Sequence, residues 1–251
     1  MSLSNACCNT PPTDAQWKER GVLKTLDNGR QVYRTGPKDA KRGIVAFYDI
    51  FAWHPTTYQF YDRLAEKGFQ VSVLHVFTAG GYPPEKLGNR DELMAWIGNY
   101  DYTKADLYGF AKAAVEDLRK DGVKTFAVMG QCWGVLMSSK VASEANSPFC
   151  AWGGAHPSFV NGEAVKDAKI PAIFLPSKDE SEKDMADAID VLNSKHMAIK
   201  SVQHRFNNMH HGWTGGRGDW SDPEQKKEGE LAIDLLADYF GKAAAAEEAK
   251  L

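Results

Sequence analysis

A cysteine between two glycines, Gly130-Gln131-Cys132-Trp133-Gly134, is the part of this chain best suited to covalent chemistry. The apolar run Thr125-Phe126-Ala127-Val128-Met129 precedes it, and the helix-prone Val135 to Ala142 follows. Strand, sharp turn and helix with a nucleophile at the apex make a nucleophile elbow. The apex backbone is strained, and its flanks must approach the neighbouring strand and helix without a Cβ in the way. A thiol placed there starts a helix, where N–H groups and the helix dipole favour the thiolate.

Such a nucleophile needs a base and a group that orients the base. His211 is the candidate base, in the run Asn207 to Trp213 that follows a predicted strand ending at Phe206. The orienting acid falls in Ser177-Lys178-Asp179-Glu180, directly after the predicted strand Ala172 to Pro176. Asp179 is preferred for its shorter arm beside the strand end, and a slip of one residue promotes Glu180. The chain order nucleophile, acid, histidine is that of α/β-hydrolases. Each group lies just past the carboxyl end of a strand, where open α/β sheets bind ligands. The oxyanion hole is expected from the N–H of Trp133 and one from the loop Tyr48-Asp49-Ile50-Phe51-Ala52.

The elements that must position these groups are strands at Val22–Leu26, Arg30–Thr35, Gly43–Tyr48, Gln70–His75, Thr125–Met129, Phe149–Gly153, Ala172–Pro176 and Lys200–Phe206. Helices are predicted over Thr56–Lys67, Lys104–Lys120, Trp133–Ala145, Glu180–His196 and Pro223–Lys242. In Lys104–Lys120 the apolar Leu107, Phe110, Ala111, Ala114, Val115 and Leu118 recur at spacings of three and four, one helical face. Strand–helix alternation implies a mostly parallel sheet with helices on both faces. The first two strands read as an antiparallel hairpin at the sheet edge, turned by Asp27-Asn28-Gly29. No repeat or Pro/Gly/Ser-rich linker divides the chain. The expected plan is an arm over 1–20, one α/β domain over 21–245 and a short tail over 246–251.

With 43 % hydrophobic and 25 % charged residues, the 251-residue chain has an ordinary globular composition. A net charge of −3 offers no basic footprint for nucleic acid, and no apolar stretch reaches bilayer length. The start of the chain has no secretory signal pattern. Cys7, Cys8, Cys132 and Cys150 have neither disulfide-framework nor zinc spacing, so a reducing, cytoplasmic setting is expected.

The cysteine elbow, the strand-end acid, the late His-Gly-aromatic turn and Asp49-Ile50-Phe51 together resemble the dienelactone hydrolase (carboxymethylenebutenolidase) family. The resemblance runs from about Gly43 to the C-terminal helix, and Ala155-His156-Pro157-Ser158-Phe159 resembles its fungal, eukaryotic branch. It implies a single-domain α/β-hydrolase that opens lactones or esters with Cys132, His211 and Asp179, without metal or organic cofactor. By the same resemblance Ile50 and Trp133 supply the oxyanion hole. The family carries a thiol-contacting glutamate where this chain has Asp49, which keeps the charge on a shorter arm. Family members that act on dienelactone hold its carboxylate with two arginines. The loop after His75 has none, and Arg217 is displaced by about one residue. Phe51, Trp53, Tyr82, Trp152, Trp213 and Trp220 fall in or beside strand-end loops, and the expected substrate is therefore an apolar or aromatic lactone or ester. Phe51, Trp53, Tyr82, Trp213 and Arg217 are the expected substrate contacts; His156 reads as structural or pocket-lining, and for His54, near the oxyanion loop, substrate contact stays open.

Other readings remain open. The same scaffold could run a non-hydrolytic isomerisation, cyclisation or dehydration, or serve as a binder or thiol sensor. Either a monomer or a homodimer fits the composition.

Overall fold

Eight strands form one sheet in the order β1-β2-β4-β3-β5-β6-β7-β8 in a computed structural model that describes residues 9–250. Cys7 and Cys8 lie outside the described residues. The strands are β1 (Val22–Thr25), β2 (Gln31–Thr35), β3 (Arg42–Phe47), β4 (Phe69–Leu74), β5 (Thr125–Gln131), β6 (Ala151–Ala155), β7 (Ala172–Leu175) and β8 (Val202–Gln203). β1 and β2 pair antiparallel, as do β2 and β4, and every other pairing is parallel. The expected edge hairpin is present, with Gly29 at φ +80° in its turn.

The helices are α1 (Pro55–Ala65), α2 (Arg90–Gly98), α3 (Leu107–Lys120), α4 (Trp133–Ser143), the short α5 (Gly162–Val165), α6 (Glu182–Asn193) and α7 (Pro223–Glu248). β4 to β7 are buried along their whole length, and β3 apart from Arg42, so helices cover both faces of the sheet. This is what near-continuous apolar runs dictate: neither face of such a strand can meet water. α3 buries the face read from its spacing, from Leu107 to Leu118.

Three differences from the sequence reading have local causes. Helix α2 escapes periodicity because it buries only Leu93 and Ile97; its signal is the Asn89 cap, which accepts the Glu92 N–H at 3.1 Å. β8 is far shorter than Lys200–Phe206, since its exposed Val202 and Gln203 pair only with Ile173 and Phe174. α7 runs unbroken to Glu248 because Ala243 and Ala244 are buried, making the alanine-rich stretch part of the fold.

Residues 10–20 form no helix or strand, yet side chains hold them down. Asp62 of α1 accepts the Trp17 indole N–H at 2.8 Å and the Arg20 N–H at 3.1 Å. It also accepts the Tyr33 hydroxyl at 2.7 Å, and that hydroxyl receives the Gly21 N–H at 2.7 Å. One buried carboxylate thus ties the arm, the hairpin and α1 together. Removing it strands several donors, so Asp62→Ala should cost about 3 kcal/mol in urea unfolding. A loss below about 0.5 kcal/mol would show that the arm is not anchored there.

Candidate active site

Cys132 caps the N-terminus of α4 with φ +56° and ψ −121°, a strained conformation for a residue with a side chain. Close backbone contact holds it there. A Cβ on Gly130 would collide with the Gly134 carbonyl, and one on Gly134 would collide with the Phe47 carbonyl. Only glycine permits both approaches. The Cys132 N–H donates to Ala155 at 3.2 Å, and its carbonyl accepts the N–H of Ser158 at 3.1 Å. Cys132 is therefore clamped between β5 and the loop after β6.

His211 is buried, and its Nδ1–H donates to Glu180 Oε1 at 2.6 Å. Nε2 carries no other hydrogen bond among the described residues, and the Cys132 sulfur acts on the ring electrostatically. Burial alone would push the imidazolium down. The charge of the Cys132 sulfur, its hydrogen bond and Glu180 outweigh that and push it up to about 10. A charged imidazole is the state this environment favours.

The acid against the ring is Glu180, not the preferred Asp179. After β7 the chain stays paired, Ser177 bridging to Phe206, so Asp179 falls in a half-buried turn. From there its carboxylate accepts the backbone N–H of His211 at 2.7 Å. The longer Glu180 arm folds back beneath the turn, where its second oxygen accepts the Ser177 N–H. Arg205 secures the turn by donating to the carbonyls of Ser177, at 2.5 Å, and Glu180, at 3.0 Å. Both acids position His211, one by its backbone and one by its ring.

Residues 211–218 are all buried, which is unusual for a loop because its polar backbone must find partners inside the protein. Gln131, beside the nucleophile, donates through Nε2 to the Thr214 carbonyl at 2.7 Å and its hydroxyl at 2.9 Å. Thr56 donates to the Gly215 carbonyl at 2.5 Å. Thr13 of the arm donates its N–H to Gly216 and its hydroxyl to Arg217, both at 2.9 Å. The Gly216 N–H goes to Asp49 at 2.8 Å.

That last contact revises the role of Asp49. Its carboxylate accepts the Phe51 N–H at 2.9 Å as well as that of Gly216, and its carbonyl accepts the Ala52 N–H at 3.1 Å. Asp49 thus builds the turn over Ile50 and clasps it to the histidine loop. In a trans peptide the N–H of Ile50 points opposite to the Asp49 carbonyl, away from the turn's own hydrogen bonds. Neither Ile50 nor Trp133 has a backbone N–H partner among the described residues. Both donors remain available.

Most of the expected substrate contacts pack loops. Phe51, Tyr82 and Trp213 are buried; Tyr82 donates its hydroxyl to Lys86 at 3.1 Å, and Trp213 packs on Phe206. Trp53 stacks on Tyr58 with ring centres 5.4 Å apart. Trp152 is core, its indole bonded to the Ile170 carbonyl at 3.1 Å, and Trp220 lies beneath Arg63. Arg217 donates Nε to the Thr10 carbonyl at 2.5 Å and lies over the Phe51 ring, locked to the arm. His54 caps α1, and His156 bonds through Nε2 to the Thr214 hydroxyl at 2.9 Å. Sequence reading missed Gln131, Thr214, Thr56, Thr13 and Ser158. The glycines at 215, 216 and 218 were the one sign of a tightly enclosed loop. Among the described residues no His, Cys, Asp or Glu cluster could hold a metal ion, and no helix is long and apolar enough to cross a membrane.

This topology, with Cys132 at a strand–helix elbow after β5 and His211 on a late loop, defines an α/β-hydrolase. Residues 31–244 match the model of the dienelactone hydrolase family. An uncharacterized AIM2 family protein of Schizosaccharomyces pombe is 28 % identical over 94 % of this chain and 98 % of its own. Dienlactone hydrolase 1 of Gibberella moniliformis is 26 % identical over 59 % of each chain. Among solved structures, a dienelactone hydrolase-like promiscuous phosphotriesterase from metagenomic libraries superposes with a TM-score of 0.63. At 15 % identity it covers 88 % of this chain and 98 % of that one. The chain belongs to the dienelactone hydrolase family and is an enzyme of the ester- and lactone-hydrolase class.

Two tests follow from the histidine's surroundings. Glu180→Gln should lower kcat/KM on an activated ester by about two to four decades, and Asp179→Asn by less than about tenfold. The reverse ranking would return the role to Asp179. Because His211 is raised from 6.5 to about 10, its charged pairing stabilises the fold below pH 6.5 and is lost as pH rises through 10. Urea unfolding should therefore show the stability advantage of wild type over His211→Gln shrinking between about pH 6 and about pH 10. An advantage independent of pH would mean the ring is not charged in the folded state.

Proposed function

We propose that Cys132, His211 and Glu180 act as a triad that hydrolyses an apolar lactone or ester through a thioester. The observation that carries this is the dry line from Glu180 through His211 to the sulfur, beside two unused N–H donors. The thiolate adds to the carbonyl carbon, and the Ile50 and Trp133 N–H groups receive the oxyanion. Collapse breaks the C–O bond to the alcohol or enol portion, which takes its proton from the His211 imidazolium. In a lactone that portion stays on the acyl chain; in an ester it departs. His211 then removes a proton from water, the hydroxide attacks the thioester, and the thiolate leaves with the acid released.

An apolar substrate is favoured by what surrounds the elbow. Arg217, the first arginine after the histidine turn, is committed to the arm and to Phe51. A cavity of about 240 Å³ lined mainly by Ile97, Trp133, Leu136 and Phe159, with Asp101 and Lys140 also on its wall, adjoins the nucleophile's immediate neighbour, room for a ring or short chain. A reducing compartment such as the cytoplasm suits a catalytic thiol.

Cys132→Ala should abolish turnover of a p-nitrophenyl ester while leaving the far-UV circular dichroism and melting transition in place. Wild-type rates in that variant would remove the triad. Products of candidate lactones should gain the mass of one water; conversion without that gain would point to isomerisation instead.

A further inference from the structure

The loop after β6 presses a hydroxyl onto the nucleophile. Ser158 is 2 % exposed, and its Oγ lies 3.3 Å from the Cys132 sulfur, while its N–H holds the Cys132 carbonyl at 3.1 Å. The backbone on either side is forced: His156 has φ +39° and Phe159 φ +62°, neither a glycine. The forcing contacts are visible. The His156 N–H donates to Leu175 at 2.9 Å, and its ring is bonded to Thr214, which Gln131 holds in turn. Strain of this kind persists only where the surroundings over-determine it, and here the outcome is one hydroxyl on one sulfur. Placement by both backbone and side chain exceeds what filling space requires.

We infer that Ser158 is a second hydrogen-bond donor to the Cys132 thiolate, a catalytic residue that shares the sulfur's charge with His211 and fixes its direction. The inference rests on Cys132 being the nucleophile. Several titratable groups bear on this centre. His211 faces the sulfur, backed by Glu180 on its ring and Asp179 on its backbone. His156 lies 5.0 Å from His211 ring to ring, and is kept neutral by burial and by the charges of His211, Arg217 and His210. Asp49 stands on the side of the oxyanion turn, its oxygens held by backbone N–H groups. When the sulfur is an anion the Ser158 hydroxyl hydrogen turns towards it. As the sulfur bonds to a carbonyl carbon, its negative charge passes to the carbonyl oxygen and the Ser158 bond weakens without any proton moving.

A donor of this kind has opposed effects. It raises the fraction of thiolate, and by lowering basicity it blunts each thiolate's attack. The test is the pH profile of Cys132 alkylation by iodoacetamide, which needs no substrate. Ser158→Ala should move the midpoint up by about one unit, cutting the rate at neutral pH by up to about tenfold. The plateau rate at high pH should rise about threefold, following the Brønsted dependence of thiolates. Ser158→Thr should behave as wild type and Ser158→Val as Ser158→Ala; that pair has equal bulk, so any cost to folding cancels between them. Identical profiles for Thr and Val, or an unshifted midpoint in Ala, would overturn the inference. Because alkylation reads the thiol alone, a shifted midpoint together with no ester turnover would sink the hydrolase reading and leave Ser158 in place.

Discussion

Everything in the site follows from burying an imidazole between a carboxylate and a sulfur. A charged His211 in a dry interior is costly unless both ring nitrogens meet partners. Glu180 and Cys132 are those partners, and the balance favours the charged ring despite burial. Electrostatic effects are largest where water is absent, so the same enclosure that makes the charge expensive makes it useful.

Enclosure has a structural consequence: the loop bearing the histidine must be satisfied by protein rather than by solvent. Four separate parts of the chain contribute. The arm supplies Thr13, the oxyanion turn supplies Asp49, α1 supplies Thr56 and the elbow supplies Gln131. A displacement of the loop breaks contacts to all four, which holds His211 in place beside the elbow. Asp49 shows the economy of the arrangement, since a single carboxylate shapes the turn over Ile50 and joins it to the loop. Its shorter arm, compared with the glutamate of the family pattern, suits backbone N–H groups close to its own turn.

Much of this was legible beforehand. The elbow could be read because its glycines are dictated by backbone contact, and backbone contact depends on residue type alone. The sheet was legible from continuous apolar runs, which permit only buried parallel strands. Helix α2 was not, because two buried side chains make no periodic face. The choice between Asp179 and Glu180 could not be read either. It depends on the pairing of Ser177 with Phe206, which keeps the chain extended past β7 and turns the shorter acid towards a backbone amide. Ser158 sits in a recognisable stretch that gives no sign of its contact with Cys132, and Thr13 carries no local mark at all. Each gains its role from a partner far away in sequence, and only the folded chain brings them together.

The most direct test of the thiol–imidazole–carboxylate centre is rapid quench of the enzyme with an aryl ester, followed by peptide mass mapping. An acyl group carried by the peptide containing Cys132, formed in the burst and discharged with the steady-state rate, is the expected result. Turnover with no acyl group on that peptide, or with the acyl group on a serine elsewhere, would contradict the account.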